Sequence, residues 1–310
     1  MSLVVTGTIG IDTVYVPSGE HRENILGGSC AYFAAAASIY GPVSVVAVVG
    51  EDFPPAMRQT LAGFANVNLD GLETRPGQRT FRWGGKYMKN MDQRETLYTE
   101  LGVLEDAPPE IPHALRSAGF VFLANSHPGV QYHLLSQFAD PVLAVADTMD
   151  LWINIARDEL EVLLAHVDGL VLNYDEAELL TGLANPVAAG RKILEAGPRF
   201  VVIKKGEHGA ILIHEDGLAA LPAYPAERVI DPTGAGDTFA AGLMANLASE
   251  YKSGRAVDPG SFAAVRRAMA HGTVVASFTI ESFSLDRLAS LTTGDVNQRF
   301  DEYAAMMRLV

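Results

Sequence analysis

The chain reads as an α/β protein with a mainly parallel central sheet, helices on both faces of it and a small inserted β-sheet. Three observations predict this. Short apolar runs of the buried-strand type recur along the chain, and such runs suit parallel strands covered on both faces. From Gly119 onward they alternate regularly with helical stretches, the pattern that places helices on both sides of a parallel sheet. Two polar-aromatic stretches, Asp12 to Ile25 and Thr80 to Thr99, interrupt the pattern without helical periodicity, and they read as hairpins.

Taken in order, Leu3 to Ile9 is the first strand, Ser29 to Tyr40 an Ala-rich helix and Val43 to Val49 the second strand. Val14-Tyr-Val and Glu23-Asn-Ile-Leu flank the turn Pro17-Ser-Gly19, and Thr80 to Met88 and Glu95 to Thr99 flank Asn90-Met-Asp92. The two hairpins predict a separate small sheet, with Phe81, Trp83 and Tyr87 alternating to one of its faces. Phe120 to Ala124, Val142 to Ala146, Gly169 to Leu172 and Phe200 to Ile203 are further strands, separated by helices around His133 to Phe138, Ile153 to His166 and Pro186 to Ala196. Gly209 to His214 and Leu218 to Tyr224 form an edge hairpin, and the chain after Asp237 is helical to about Thr279. No repeat, low-complexity segment or linker divides the chain, which predicts a single domain over 1–310 with lid segments at about 12–26 and 78–100.

The 310 residues are enough to bury a full core without staples. With 48% hydrophobic residues and a mean hydropathy of +0.14, and no apolar run near the roughly 20 residues of a membrane span, the composition is that of a soluble protein. The opening Met-Ser-Leu-Val-Val carries no signal-peptide pattern, and the expected location is cytoplasmic. The single cysteine, Cys30, excludes an internal disulfide and a cysteine-rich zinc site. A net charge of −14 and a pI near 4.9 exclude general affinity for nucleic acid or an anionic membrane. A nucleotide accompanied by Mg²⁺ is compatible with that charge, because the metal supplies the positive partner.

The chemistry is concentrated in Asp231-Pro-Thr-Gly-Ala-Gly-Asp237. Gly234, Ala235 and Gly236 allow a tight turn and close approach to the backbone, and the Ala-, Leu- and Met-rich run that follows predicts a helix starting there. A helix start offers unpaired N–H groups and the positive end of the dipole to an anion. Asp237 then serves either as an N-cap or as an acceptor for the proton of an attacking hydroxyl; this stretch alone does not choose. Asp12 and Gly27-Gly28 lie past the first strand, where open α/β sheets bind ligands. Asn173-Tyr-Asp-Glu176 and Lys204-Lys-Gly-Glu-His-Gly209 each follow a strand end. The first is either a capping box or a group that holds metal-bound water; Gly206 and Gly209 make a turn that could pass close to a nucleotide.

These groups, in this order, resemble the ribokinase-like, or PfkB, family of carbohydrate and nucleoside kinases over nearly the whole chain, the last motif being the most specific. The resemblance implies a three-layer αβα ribokinase-like fold with the hairpins as its β-lid, and transfer of the γ-phosphoryl group of ATP to a hydroxyl, usually a primary alcohol. It implies Asp237 as catalytic base and the N–H groups of Gly234, Ala235 and Gly236 as the anion hole. Asp12 would bind substrate hydroxyls in a pocket shared with Gly27, Gly28 and Tyr32. Asn173 and Glu176 would position Mg²⁺ and phosphate through water, and Lys205, Gly206, Gly209, Gly236 and Thr273 of the late helix would lie along the nucleotide. Asp231 and Thr233 match positions that contribute to a monovalent cation site, such as K⁺, in many members. The chain departs from many members in having Ser29-Cys-Ala-Tyr32 where they carry an Asn after the Gly pair, Pro232 where Thr is common, and Glu281-Ser-Phe-Ser284 where a Gly often helps to form the cation loop.

A sugar is the substrate expected first and a nucleoside second, with no nucleic acid or membrane partner. A silent ligand-binding member would have no need of the base. A dinucleotide-binding oxidoreductase lacks its third glycine here, since Phe239 follows Gly234-x-Gly236, and no P-loop motif occurs. The lid's aromatic face invites a second copy of the chain, that is, a homodimer through the lids.

Overall fold

The structure is a computed structural model and describes residues 2–308. In chain order it contains β1 (Leu3–Thr6), β2 (Gly10–Tyr15), β3 (His21–Gly27), α1 (Ser29–Ala37), β4 (Val43–Gly50), α2 (Pro55–Ala62), β5 (Val67–Arg75), β6 (Phe81–Tyr87) and β7 (Arg94–Glu100). There follow β8 (Phe120–Leu123), α3 (Pro128–Leu135), β9 (Leu143–Asp147), α4 (Asp150–Ile155), α5 (Arg157–Leu164), β10 (Gly169–Asn173), α6 (Tyr174–Thr181), α7 (Pro186–Leu194) and β11 (Phe200–Lys204). The chain continues with β12 (Ala210–His214), β13 (Gly217–Leu221), α8 (Ala235–Lys252), α9 (Phe262–Thr279), α10 (Asp286–Ala289) and α11 (Thr293–Met306).

The main sheet has nine strands in the order β13-β12-β11-β10-β9-β8-β1-β4-β5. It is parallel from β11 to β5, and β12 pairs antiparallel with both β11 and β13. The apolar runs behave as strands buried on both faces: Leu3 and Val5 enter one core and Val4 the other, as do Phe120 and Phe122 against Val121 and Leu123. This is the period-2 alternation of a strand. The first core lies under α1, α8 and α9, where Phe33 stacks on Phe122 at 4.7 Å. The second lies under α3, α5, α6 and α7. No helix among the described residues is long and apolar enough to cross a membrane.

The two expected hairpins form, and they join into one four-stranded sheet in the order β3-β2-β6-β7. The joint is a parallel pairing of β2 with β6, from Gly10 opposite Phe81 to Tyr15 opposite Lys86. Asp12 therefore belongs to a strand of the small sheet, not to the loop just past the first strand, because β1 already ends at Thr6. Strand β5 and helix α2 carry no clear sequence signal. In β5 the residues before Gly71 are partly or fully exposed, so the strand lacks the apolar run that marks its neighbours. The expected helix around Ile153 to His166 is two, α4 and α5, broken at Ala156, whose φ of −135° and ψ of 42° are not helical. The helical stretch after Asp237 likewise breaks between α8 and α9.

Candidate active site

Helix α8 starts on Gly234 at a φ of +77°, a conformation glycine adopts without strain. A Cβ there would also enter the ring of Tyr32, which packs flat against the turn. Asp231 closes the turn by accepting from the N–H of Thr233 at 2.9 Å, and the N–H of Ala235 donates to Pro232 O at 3.2 Å. Of the three N–H groups expected to form an anion hole, Ala235's is thus engaged in the turn. Those of Gly234 and Gly236 donate to no described residue. Asp237 is not the N-cap: it sits in the first turn of α8, and no side chain caps this helix.

Before this turn opens a cleft of about 470 Å³, lined at one end by Asp12, Gly28, Tyr32, Thr233, Gly234 and Asp237. Gly27 lies beneath Asp12, where a Cβ would occupy the carboxylate's place. Burial, together with the charges of Asp231 and Asp237, pushes the Asp12 carboxyl up to about 7. Asp237 is raised to about 6 by burial, against the pull of Lys204 and Arg94. Tyr32 is 1% exposed and its hydroxyl has no partner. Phe81 and Trp83 face the cleft from the lid, while Tyr87 of the same face reaches the anion turn and accepts from the Thr233 hydroxyl at 3.1 Å.

Two charged groups of the site, Arg94 and Asp147, escape sequence reasoning, and a third, Lys204, is passed over there for its neighbour Lys205. Arg94, the first residue of β7, lines the cleft with its guanidinium 5.4 Å over the Trp83 ring; nothing in its neighbourhood in the sequence marks it. Asp147 ends β9, is 5% exposed, leaves Oδ1 without a partner and is held well above the usual carboxylate range by burial and by Asp237. Its place directly after an apolar strand is the signal that could have found it. Lys204 ends β11 with its ammonium above Gly236, 2.9 Å from where a Cβ would stand.

Of the expected nucleotide and metal residues only Thr233 lines the cleft; Asn173, Glu176, Lys205, Gly206, Gly209, Gly236, Thr273 and Asp231 do not. Asn173 and Glu176 form a complete capping box, with Asn173 Oδ1 accepting from Glu176 N at 2.8 Å and Glu176 Oε2 from Asn173 N at 2.7 Å. Glu176 is also buried, and burial raises its carboxyl against the pull of Lys204; the cap uses only its Oε2. Gly206 and Gly209 both take positive φ; a Cβ on Gly206 would stand 2.6 Å from Asp92 of the lid, and one on Gly209 would strike Leu221 O. Lys205 turns away, its ammonium 5.9 Å over the Tyr174 ring. Thr273 is buried and its hydroxyl donates to Met269 O at 3.0 Å within α9. Asp231 is fully buried with Oδ2 unpaired; an oxygen so placed suits a cation or a proton. Ser284 beside it adopts a φ of +53°, the conformation a glycine would take there, and its hydroxyl donates to Leu26 O at 2.5 Å.

Away from Asp12 and Asp237 the cleft is walled by Leu101, Val130, Met149, Leu151 and Trp152, with His127 and Asn125 beside the indole. The indole N–H of Trp152 donates to Asn125 Oδ1 at 3.0 Å, and His127 meets the Trp152 ring edge-on at 5.2 Å. The His127 Nδ1 accepts from Gly129 N at 3.1 Å, so in the neutral ring the proton sits on Nε2.

A family described as pfkB family carbohydrate kinase matches residues 2–287. Cytidine kinase of Thermococcus kodakarensis is 29% identical over 265 residues, covering 83% of this chain and 91% of that protein. A 2-dehydro-3-deoxygluconokinase of Thermoproteus tenax is 28% identical over 281 residues, covering 83% and 85%. The nucleoside kinase of Methanocaldococcus jannaschii superposes with a TM-score of 0.74 at 21% identity over 97% of this chain and 98% of its own, a likeness of fold.

Burial favours the neutral form of a carboxyl, so the charges of Asp12 and Asp237 are expected to appear only as pH rises through about 7 and about 6 respectively. Carboxyl ¹³C NMR of the ligand-free protein reads this directly; midpoints near 4 for both would contradict it.

Proposed function

Because the chain belongs to the pfkB family of carbohydrate kinases, an assignment that makes it an ATP-dependent sugar or nucleoside kinase, we propose that it phosphorylates the primary hydroxyl of a nucleoside with Asp237 as general base. The observation that carries the nucleoside reading is the two-part cleft. At about 470 Å³ it falls within the size range of pockets that bury whole drug-like ligands. Its polar end, with Asp12 and Asp237, suits sugar hydroxyls; its other end, with Trp152 and His127, suits a planar base. The names of the Thermococcus kodakarensis and Methanocaldococcus jannaschii relatives agree with it.

Asp12 accepts hydrogen bonds from the sugar and fixes the hydroxyl beside Asp237. Asp237 takes the hydroxyl proton as the new P–O bond forms and the bond from the γ-phosphorus to the bridging oxygen breaks, releasing ADP. A carboxyl raised to about 6 is better matched to that task than an ordinary one. The N–H groups of Gly234 and Gly236, at the positive end of α8, stabilise the charge on the transferring group. Mg²⁺ fits the residues present: Glu176 and Asn173 would hold it through water with Asp147, whose Oδ1 is buried and unpaired. When bound, the metal neutralises charge on the phosphate oxygens. Closure of the lid over the cleft by Phe81, Trp83 and Arg94 excludes water, which positioning-dominated phosphoryl transfer requires.

A second reading rests on Arg94. A guanidinium in the substrate cleft favours an acidic sugar, and the Thermoproteus tenax relative is named for one.

Asp237→Asn is expected to lower turnover at least about 100-fold while nucleotide affinity holds; turnover like that of the wild type would remove the base assignment. A panel of nucleosides, sugar acids and neutral sugars scored for ATP consumption is expected to give its highest kcat/KM with a nucleoside. A sugar acid leading the panel would favour the Arg94 reading. The edge strand β7, which leaves Leu97 and Tyr98 exposed, supports pairing of two lids, and sedimentation is expected to give the mass of a dimer rather than a monomer.

A further inference from the structure

The end of β11 holds a charge that the capping box, the anion turn and Asp237 do not use. Lys204 stands opposite Asn173 in the β10–β11 register and opposite Ala210 in β12. β11 ends at Lys204, and the turn that begins at Lys205, with a φ of −129° and a ψ of 33°, sends the two adjacent lysines apart. Lys205 goes to the Tyr174 ring, whereas Lys204 goes to the first turn of α8, with Nζ over Gly236. Any side chain on Gly236 would meet that ammonium, so the glycine keeps open the space between the lysine and the helix N-terminus.

Three carboxylates surround this space: Asp147 from β9, Glu176 from α6 and Asp237 from α8, each pulled down by the Lys204 charge. Lys204 nevertheless makes no ion pair and no side-chain hydrogen bond with any described residue. Asp147, facing the same space, is buried with Oδ1 unpaired. The Gly236 N–H, beneath the ammonium, is unpaired as well. A cation, a carboxylate oxygen and a backbone donor left unpaired around one opening form a set that a phosphate chain with its metal would complete: the anion takes the lysine and the N–H, and the metal takes the carboxylate.

We infer that Lys204 binds the β- and γ-phosphates of the nucleotide and presses the γ-phosphate onto the Gly236 N–H, in line with Asp237. The inference rests on the kinase reading of the site. A lysine suits this position as a compact point charge able to follow the phosphoryl group between two oxygens, whereas a guanidinium demands a fixed fork. Its second effect is on Asp237, whose carboxylate it favours, so the same charge serves the anion and the base.

The test is calorimetric binding of ATP, ADP, AMP and adenosine in excess Mg²⁺, without acceptor, to the wild type, Lys204→Met, Lys204→Arg and Lys205→Met. Loss of one charge-assisted contact corresponds to about 10-fold to 100-fold in affinity. Lys204→Met is expected to weaken ATP and ADP by that factor and to leave AMP and adenosine unchanged, which also shows that the variant is folded. Lys204→Arg should recover part of the loss, and Lys205→Met should show no difference between ATP and AMP. Equal weakening of all four ligands, or none, by Lys204→Met would overturn the assignment. Failure of the wild type to bind ATP would instead bring down the kinase reading, and this inference with it.

Discussion

Carboxylates crowd the start of α8, and much of the architecture answers that constraint. Asp12, Asp147, Glu176, Asp231 and Asp237 arrive from β2, β9, α6, the anion turn and α8 itself, and burial raises every one of them. Left alone, such a group would hold protons or repel itself apart. The compensation is local: the positive end of an 18-residue helix, Lys204 from the main sheet and Arg94 from the lid. An acidic protein of net charge −14 thereby keeps one small region fit to receive an anion.

Glycines make the crowding geometrically feasible. Gly27 leaves the space that the Asp12 carboxylate occupies, Gly234 the space of the Tyr32 ring, and Gly236 the space beneath Lys204. Each brings a side chain into contact with backbone where a methyl group would hold it away, and in a packed interior that displacement has no slack to absorb it. The motif is therefore more than a turn. Its small residues set how close the charged groups of neighbouring elements can come.

The lid connects to the same centre by hydrogen bonds as well as by covering it. Tyr87 accepts from Thr233 of the anion turn, Ser284 ties the loop after α9 to the lid strand β3, and Asp92 stands against Gly206 of the turn after β11. A displacement of β6–β7 would thus alter the surroundings of both the turn before α8 and the Gly206 turn.

Much of this was legible in the sequence. The parallel strands announced themselves as apolar runs, the lid as two hairpins, and the anion turn as Gly234-Ala-Gly236 before an Ala-rich helix; each is a local pattern whose period or turn chemistry reports its own conformation. Glu176 and Asp237 could be singled out because strand ends and helix starts are readable in the same way, whereas Asp12 was singled out from a strand end that the structure places earlier, at Thr6. The pairing of β2 with β6, which joins residues about seventy positions apart into one sheet, was not legible, and with it went Arg94. Nor was it legible that Lys204 and not Lys205 stands over Gly236, because the strand ends between them and the turn that follows redirects the second side chain. Local sequence determined which elements form and which groups stand at their ends. The tertiary structure decided which of those charges face one another, since long-range strand pairing and close packing set the distances on which electrostatics depends.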